Sequence, residues 1–414
     1  MIRLRPHLFL ASSWPPMSVH AGLKPAFASA THRLSWLGTG KSLLEGKLEA
    51  IAQAKHTVRL EIYIYTDGEV GRRFREALVE AANRGVHVWL LVDAVGGMDL
   101  SSGYFHEFAQ LPGAEMKWFN EPSLGTWAFR DHRKLLTVDG GTAFVGGCNI
   151  AEEYHGDGVN EGWRDGGLRI DGPVVAELEA GFDDQFAHAD EKQWQVMRQK
   201  KRAKIKGSAA SPGAAIQPLF IRPGFGRNPL RDAIRKDLIR AKDIAITSAY
   251  FLPSRGLLKQ FGQAVRKGAR MRLMLGGKTD VALMQLATRA LYPRLLRMGI
   301  ELYEYQPQIL HAKLLIIDDH VYVGSSNLDP RSLRINFEIM VRIHDPALAV
   351  RARQQFEADV GHAQRITQAS TGPASWWLRS KQWLARWILA RVDPRLSEGM
   401  LRKLKRRWKL RKRA

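Results

Sequence analysis

The feature that most constrains this chain is a pattern used twice: His-x-Lys, four further residues, then Asp. The copies are His132, Lys134, Asp139 and His311, Lys313, Asp318, with the histidines 179 residues apart. Each is followed by small residues and an asparagine, Gly146-Gly147-Cys148-Asn149 and Gly324-Ser325-Ser326-Asn327. Self-similarity at one spacing means one structural unit used twice. The flanks repeat as well. Residues 58–65 alternate as a strand, and Val70, Phe74, Ala77, Leu78 and Ala81 mark a helical face ending at Gly85. In the second half 244–250 reads as a strand, Ser254 as a helix cap, and Leu257, Leu258, Phe261, Ala264 and Val265 as the apolar face before Gly268. Strands are expected over 86–92 and 271–275, and again over 116–119 and 301–305 after further helix-prone stretches. This alternation predicts an α/β class, with two similar lobes, each a mixed sheet flanked by helices, packed around one shared cleft.

Between the halves, 7 of the 15 residues in 192–206 are basic, and 207–215 is rich in Ala, Ser, Gly and Pro. The expected organisation is a disordered extension (1–33), a first lobe (34–191), a basic flexible linker (192–216), a second lobe (217–366) and a tail (367–414). The single cysteine, Cys148, rules out an intrachain disulfide and a cysteine-rich zinc site, and points to a reducing compartment. No run reaches the roughly 18 to 20 apolar residues of a membrane span. The first 30 residues resemble an export signal only faintly, because the short apolar run at 8–11 precedes Pro15 and Pro16.

The two motifs suit phosphodiester chemistry. One imidazole can attack phosphorus while the other, protonated, donates to the departing alkoxide; the second then deprotonates an incoming alcohol or water. Lys134, Lys313, Asn149 and Asn327 are candidates for holding the nonbridging oxygens, and the relay needs no metal or other cofactor. A carboxylate must orient each ring; the candidates are Asp165 in Trp163-Arg164-Asp165 and Glu338 in Asn336-Phe337-Glu338. On a strand, His and Lys two apart share a face, whereas Asp139 and Asp318 sit at an odd offset, which suits a scaffolding role. Asp139-Gly140 has the composition of a tight hairpin turn.

These motifs resemble the HKD signature of the phospholipase D superfamily, and over roughly 34–363 the chain is similar to its bacterial cardiolipin synthase branch. The resemblance extends to Leu60-Glu61-Ile62-Tyr63, Phe129-Arg130-Asp131-His132-Arg133-Lys134, Ala249-Tyr250-Phe251-Leu252-Pro253 and 327–334. It implies two phospholipase D-like lobes and a phosphatidyl-histidine intermediate, with His132 the nucleophile and His311 the general acid and base. It counts the catalytic set as His132, Lys134, Asp139, His311, Lys313 and Asp318. The longer cardiolipin synthases begin with two membrane-spanning helices, so this chain resembles the shorter, peripheral form.

A formal charge of +22 calls for a polyanionic partner, lipid head groups or nucleic acid. Of that excess, +12 lies in 376–414, where 14 basic residues face two acidic ones. There Trp376, Trp377, Trp383, Leu384, Trp387 and Ile388 recur at helical spacing, with a more basic segment over 402–413. Tryptophan on one side and arginine on the other is the pattern of a helix lying in a lipid interface; the competing reading is a tail helix packed on the protein's own core. The tail favours an anionic phospholipid membrane over nucleic acid, and the resemblance implies phosphatidylglycerol as the substrate and a peripheral place at the cytoplasmic side of the inner membrane. The implied reaction is phosphatidyl transfer to a second lipid alcohol with release of glycerol. A hydrolytic phospholipase D and a superfamily nuclease are the alternatives.

Overall fold

The computed structural model describes residues 27–29, 32–121, 129–189, 215–224, 228–370 and 376–389. The first half forms β1 (Phe27–Ser29), β2 (His32–Leu37), β3 (Thr57–Ile62), β4 (His87–Asp93), β5 (Ala114–Phe119), β6 (Leu135–Val138), β7 (Thr142–Gly146) and β8 (Gly167–Asp171). The second half forms β9 (Ile216–Ile221), β10 (Asp243–Ser248), β11 (Arg270–Gly276), β12 (Glu301–Tyr305), β13 (Lys313–Ile317), β14 (His320–Gly324), β15 (Glu338–His344) and β16 (Ala363–Ile366). Each set makes one sheet. Seven strands, in the order β2-β8-β7-β6-β3-β4-β5, match β9-β15-β14-β13-β10-β11-β12 in the other sheet. Polarity matches too: the β3-β4-β5 and β10-β11-β12 ladders are parallel, and the ladders from β2 to β3 and from β9 to β10 are antiparallel. Only the eighth strand differs, β1 lying beside β2 and β16 beside β12.

The helical periodicity falls where expected. Helix Glu69–Asn83 buries Val70, Phe74, Leu78 and Ala81 as the crossover between β3 and β4. Helix Arg255–Arg266 does the same between β10 and β11, with Ser254 accepting from the Leu257 amide as its cap. One apolar cluster cannot be assigned to either lobe. It joins Leu135, Val145, Leu168 and Phe182 to Met274, Ile316, Val323, Ile339 and Phe356. The lobes are therefore fused along a shared core, with helices Val175–Ala187 and Pro346–Val360 contributing to it. Burial of this apolar area holds the two motifs at a fixed separation.

Two expectations about the chain's ends need correction. Strand β1 and the start of β2 lie inside 1–33, so part of that segment adds to the first sheet rather than forming a disordered extension; 1–26 lie outside the described residues. Helix Trp376–Trp387 packs on helix Ala282–Arg289, with Ala385 buried and Leu389 against the second lobe's core. One side of the tail helix is thus a packing face, while Trp377, Leu384 and Trp387 remain 62%, 48% and 40% exposed. The side chains of Trp376 and Trp383, the expected 192–216 linker as far as 214, and the basic segment 402–413 lie outside the described residues, and β9 begins within that linker at Ile216. Among the described residues no helix is long and apolar enough to cross a membrane.

The motif aspartates close hairpins. Asp139 and Gly140 have φ of 51° and 66°, the two left-handed positions of a tight turn between β6 and β7. The Asp139 carboxylate accepts from the amides of Lys55, His56 and Thr57 at 2.9, 2.7 and 2.8 Å. Asp318 accepts from the Lys242 and Asp243 amides at 3.0 and 2.9 Å. Each carboxylate thereby ties the motif strand to the start of its neighbour, β3 or β10. Asp139→Ala is expected to cost about 1 kcal/mol, since the site is exposed and water can replace part of the lost bonding. Thermal unfolding should show the lower Tm, with specific activity of the folded fraction retained; a folded but inactive variant would put this carboxylate in the chemistry.

Candidate active site

The reactive segments are held by main-chain bonds that cross between the lobes. The Phe337 amide donates to the Arg130 carbonyl and the His132 amide to the Phe337 carbonyl, both at 2.9 Å. Reciprocally, Arg164 donates to the Ile309 carbonyl at 2.8 Å, and His311 and Ala312 donate to the Arg164 carbonyl at 2.9 and 3.1 Å. Each motif is stitched to the strand start that carries the other lobe's carboxylate. The result is a crossed pair of dyads. His132 Nδ1 lies 2.9 Å from Glu338 Oε2, and His311 Nδ1 lies 2.6 Å from Asp165 Oδ2. Both carboxylates were legible as candidates, but nothing in the sequence says that each serves the histidine of the opposite lobe.

Local sequence makes room for this. A Cβ at Gly147 would lie 2.4 and 2.5 Å from the Asp165 carboxylate oxygens, so only glycine admits Asp165 there. In the second lobe the corresponding residue is Ser325, whose hydroxyl donates to Glu338. Arg164 clamps the crossing by donating to Asp359 at 2.8 Å. On the other side, Asp93 accepts from Arg130 at 3.1 Å and from the Asp131 amide at 2.8 Å, just before His132.

The lysines sit beside their histidines. Lys134 Nζ donates to the His132 carbonyl at 2.8 Å and lies 5.1 Å from the centre of the Tyr63 ring, which itself packs 4.9 Å from His132. Lys313 Nζ lies 2.9 Å from His311 Nε2. The asparagines also bond to the protein itself. Asn149 accepts from the Ile64 amide at 3.1 Å and donates to the Tyr154 hydroxyl at 2.8 Å; that hydroxyl lies 3.5 Å from His311 Nε2. Asn327 accepts from the Tyr250 amide at 3.4 Å. Both brace the ends of β3 and β10. Asp139 and Asp318 are not brought to the histidines at all, being held at the far ends of β6 and β13.

Burial dominates the electrostatics. It lowers the His132 imidazole well below its usual range, helped by the charges of Lys134 and then Lys313. His311 falls to about 4, through burial and Lys313, against the opposing pull of Asp165. Lys134 is lowered to about 7 and Lys313 to about 8, in both cases chiefly by desolvation. Each lysine acts on both histidines, so the two motifs share one electrostatic environment. The carboxylates diverge. Burial pushes Glu338 up to about 7, whereas Asp165, despite burial, is held below its usual value by the His311 hydrogen bond and nearby cations.

Both lobes match the family described as "Cardiolipin synthase, PLD-like domain", over residues 48–184 and 234–360. The chain belongs to this family. It is 32% identical over 367 residues to cardiolipin synthase B of Salmonella typhi, covering 86% of this chain and 87% of that one. It is 30% identical to a cardiolipin synthase of Halalkalibacterium halodurans, covering 84% and 71%. In fold it matches the phosphatidylserine synthase of Haemophilus influenzae with a TM-score of 0.70 at 16% identity, over 88% of this chain and 94% of that one. Membership makes the protein an enzyme of the phospholipase D superfamily, of the cardiolipin synthase-like phosphatidyltransferase type, and the paired sheets are its phospholipase D-like lobes.

Three residues around the dyads were not singled out as site residues: Tyr154 and Trp163, with rings 5.1 and 5.6 Å from His311, and Ser325 beneath Glu338; Trp163 stood in the segment that carries Asp165, and Tyr154 carried no signal of its own. Ser325 stood within the small-residue run after the second motif, and its partner could be found only once the β14–β15 pairing was known.

The raised Glu338 pKa has a testable sign. A carboxyl whose folded pKa exceeds its unfolded one stabilises the fold at low pH, and that contribution is lost as pH rises through about 7. Glu338→Gln should therefore gain stability relative to the parent between about pH 5 and about pH 8. Parallel Tm curves for the two proteins across that range would show that Glu338 ionises without penalty.

Proposed function

We propose that this chain transfers a phosphatidyl group from phosphatidylglycerol to the hydroxyl of a second phospholipid, forming cardiolipin and releasing glycerol, by way of a phosphohistidine. The observation that supports this most is the crossed pair of histidine–carboxylate dyads. Each carboxylate fixes its ring through Nδ1, leaving Nε2 for chemistry. In the reading adopted, His132 Nε2 attacks phosphorus while His311 protonates the departing glycerol oxygen. His311 then takes the proton from the incoming hydroxyl, whose oxygen displaces His132. Lys134 and Lys313 offer positive charge to the nonbridging oxygens as it builds up there, in a buried setting where it counts more than in water. The similarity to cardiolipin synthases B supports the choice of lipid over nucleic acid.

The substrate confines the enzyme to a bilayer, and we assign it a peripheral position at the cytoplasmic face of the inner membrane. The exposed Trp377, Leu384 and Trp387 suit an interface, and the 11 basic residues of 390–414 suit an anionic leaflet at roughly 1 kcal/mol each.

Purified protein incubated with labelled phosphatidylglycerol vesicles should yield cardiolipin and glycerol. Phosphatidic acid alone would mean a hydrolase, and cleaved DNA with intact lipid would mean a nuclease. His132→Ala and His311→Ala should each lower turnover by about a thousandfold or more with the fold intact, because nucleophile and acid act in one sequence. Near-normal turnover in either variant would reject the paired roles. Truncation after Leu389 keeps the packed helix and should weaken sedimentation with anionic vesicles, more so in high salt; unchanged sedimentation would remove the basic tail from membrane binding.

A further inference from the structure

Lys47 is a buried charge that the two motifs do not account for. Helix Gly40–Gln53 turns Gly40, Leu43, Leu44, Lys47, Ala50 and Ile51 inward, so a lysine stands in the middle of an otherwise apolar stripe. Its side chain is fully buried, and Nζ has no hydrogen-bond partner among the described residues. An ammonium buried in that way is costly, and a leucine or methionine would fill the stripe without the cost. The second lobe avoids it. Helix Pro229–Asp237 stands before β10 as Gly40–Gln53 stands before β3, and its inward residues are Leu230, Ala233 and Ile234. The charge is therefore an asymmetry between the lobes, on the side of the first.

Close contacts at glycines show where the helix runs. A Cβ on Gly40 would lie 3.6 Å from Cys148 Sγ, one on Gly146 would lie 2.8 Å from Leu43 Cδ2, and one on Gly46 would lie 3.3 Å from Phe144 Cε1. The helix thus descends along β7 from Cys148 towards Phe144, and Lys47 starts near the Phe144 end of that path. Helical side chains lean towards the N-terminus of their helix, so the lysine arm leans back towards the Cys148 end. Asp165 lies there, since a Cβ on the neighbouring Gly147 would come within 2.4 Å of its carboxylate. That carboxylate faces His311 Nδ1 through Oδ2 at 2.6 Å and accepts from the Gly166 amide through Oδ1 at 2.7 Å. The electrostatics agree. Burial lowers Lys47 to about 8, while Cys148 and then Asp165 pull it the other way, and an amine of that affinity is a cation at neutral pH.

We propose that Lys47 is a positioning residue for the general acid: its ammonium, on the first-lobe side of Asp165, keeps that carboxylate charged and the Nδ1 proton on His311. The inference rests on the function proposed above. In the first step a bond forms between His132 Nε2 and phosphorus, the bond from phosphorus to the glycerol oxygen breaks, and that oxygen takes the Nε2 proton of His311. Lys47 gives up no proton and touches no substrate. Without its charge the Nδ1 proton shifts towards Asp165, which leaves a neutral ring whose Nε2–H is a weak acid. A leaving group that needs a proton then departs slowly, and one that needs none is unaffected.

The test compares two donors, phosphatidylglycerol and phosphatidyl-p-nitrophenol, in the same mixed micelles and at the top of each protein's pH profile; nitrophenolate leaves without a proton. Lys47→Met keeps the length of the arm and removes its charge, and Tm should stay level or rise because an unpaired buried ion is replaced by an apolar chain. The ratio of kcat/KM for phosphatidylglycerol over the nitrophenyl donor, which does not depend on the folded fraction, should fall by about tenfold or more, a part of what a general acid contributes. Asp165→Asn should lower the same ratio, and adding Lys47→Met to it should lower the ratio no further, since the ammonium then has no carboxylate to hold. An unchanged ratio in Lys47→Met, or a further fall in the double variant, would overturn the assignment and leave Lys47 a structural residue. A parent inert toward both donors would overturn the phosphatidyl-transfer reading itself.

Discussion

The rest of this structure depends on a few main-chain hydrogen bonds between lobes. Where the Arg130–His132 segment runs beside Phe337, and the Ile309–Ala312 segment beside Arg164, a histidine from one half is brought to a carboxylate from the other. Neither lobe alone contains a working dyad. This explains why the lobes share an apolar core instead of meeting across a hydrated interface: a shift of one residue in either bridge would separate ring from carboxylate. The buried Arg164–Asp359 pair belongs to the same device. Its net contribution to stability is small, since desolvation offsets attraction, but its geometry restricts how the lobes can slide.

The second consequence is electrostatic. Lys134 and Lys313 are almost wholly buried beside two histidines, and Lys47, also buried, makes no hydrogen bond near Asp165 and is lowered to about 8 by burial. Asp165 is held below its usual value while burial pushes Glu338 up, so three buried lysines stand beside carboxylates that differ in their hold on a proton. Such a cluster is costly when empty and is relieved by a phosphodiester. Burial is the main reason the histidines hold protons weakly, and the two lysines add to it.

Much of this was legible before any coordinates. The two halves, the helix capped by Ser254, the strand at 301–305 and the scaffolding role of the motif aspartates follow from periodicity, spacing and parity, all of which are local. What escaped was non-local. That Asp165 serves His311 depends on strands 146 residues apart in the chain being laid side by side, which no local pattern encodes. The asparagines were read as phosphate contacts because their amides suit that task; their side-chain oxygens also accept backbone amides at the ends of β3 and β10, a bracing role that no local pattern announced. The tail helix was read as lying in a lipid interface, with packing on the protein's own core as the competing reading; among its described side chains, Ala385 and Leu389, inconspicuous in the sequence, lie against the core.

Duplication gives a site two of everything, and a reaction with distinct nucleophile and acid requires the copies to differ. Here the differences collect around the rings and leave the sheets alone. Gly147 admits the short Asp165 to His311, while Ser325 donates to the longer Glu338 that serves His132. Asp165 is held below its usual value by the His311 hydrogen bond, whereas burial pushes Glu338 up to about 7; both rings are themselves lowered, His311 to about 4 and His132 well below its usual range, chiefly by burial. In the reaction proposed above, the His132 ring would be the one to bond phosphorus and the His311 ring the one to carry the proton to and from the alcohol. Symmetry in the fold and asymmetry at the dyads are thus two parts of one arrangement, in which the backbone pairs the rings and a handful of side chains assign their order.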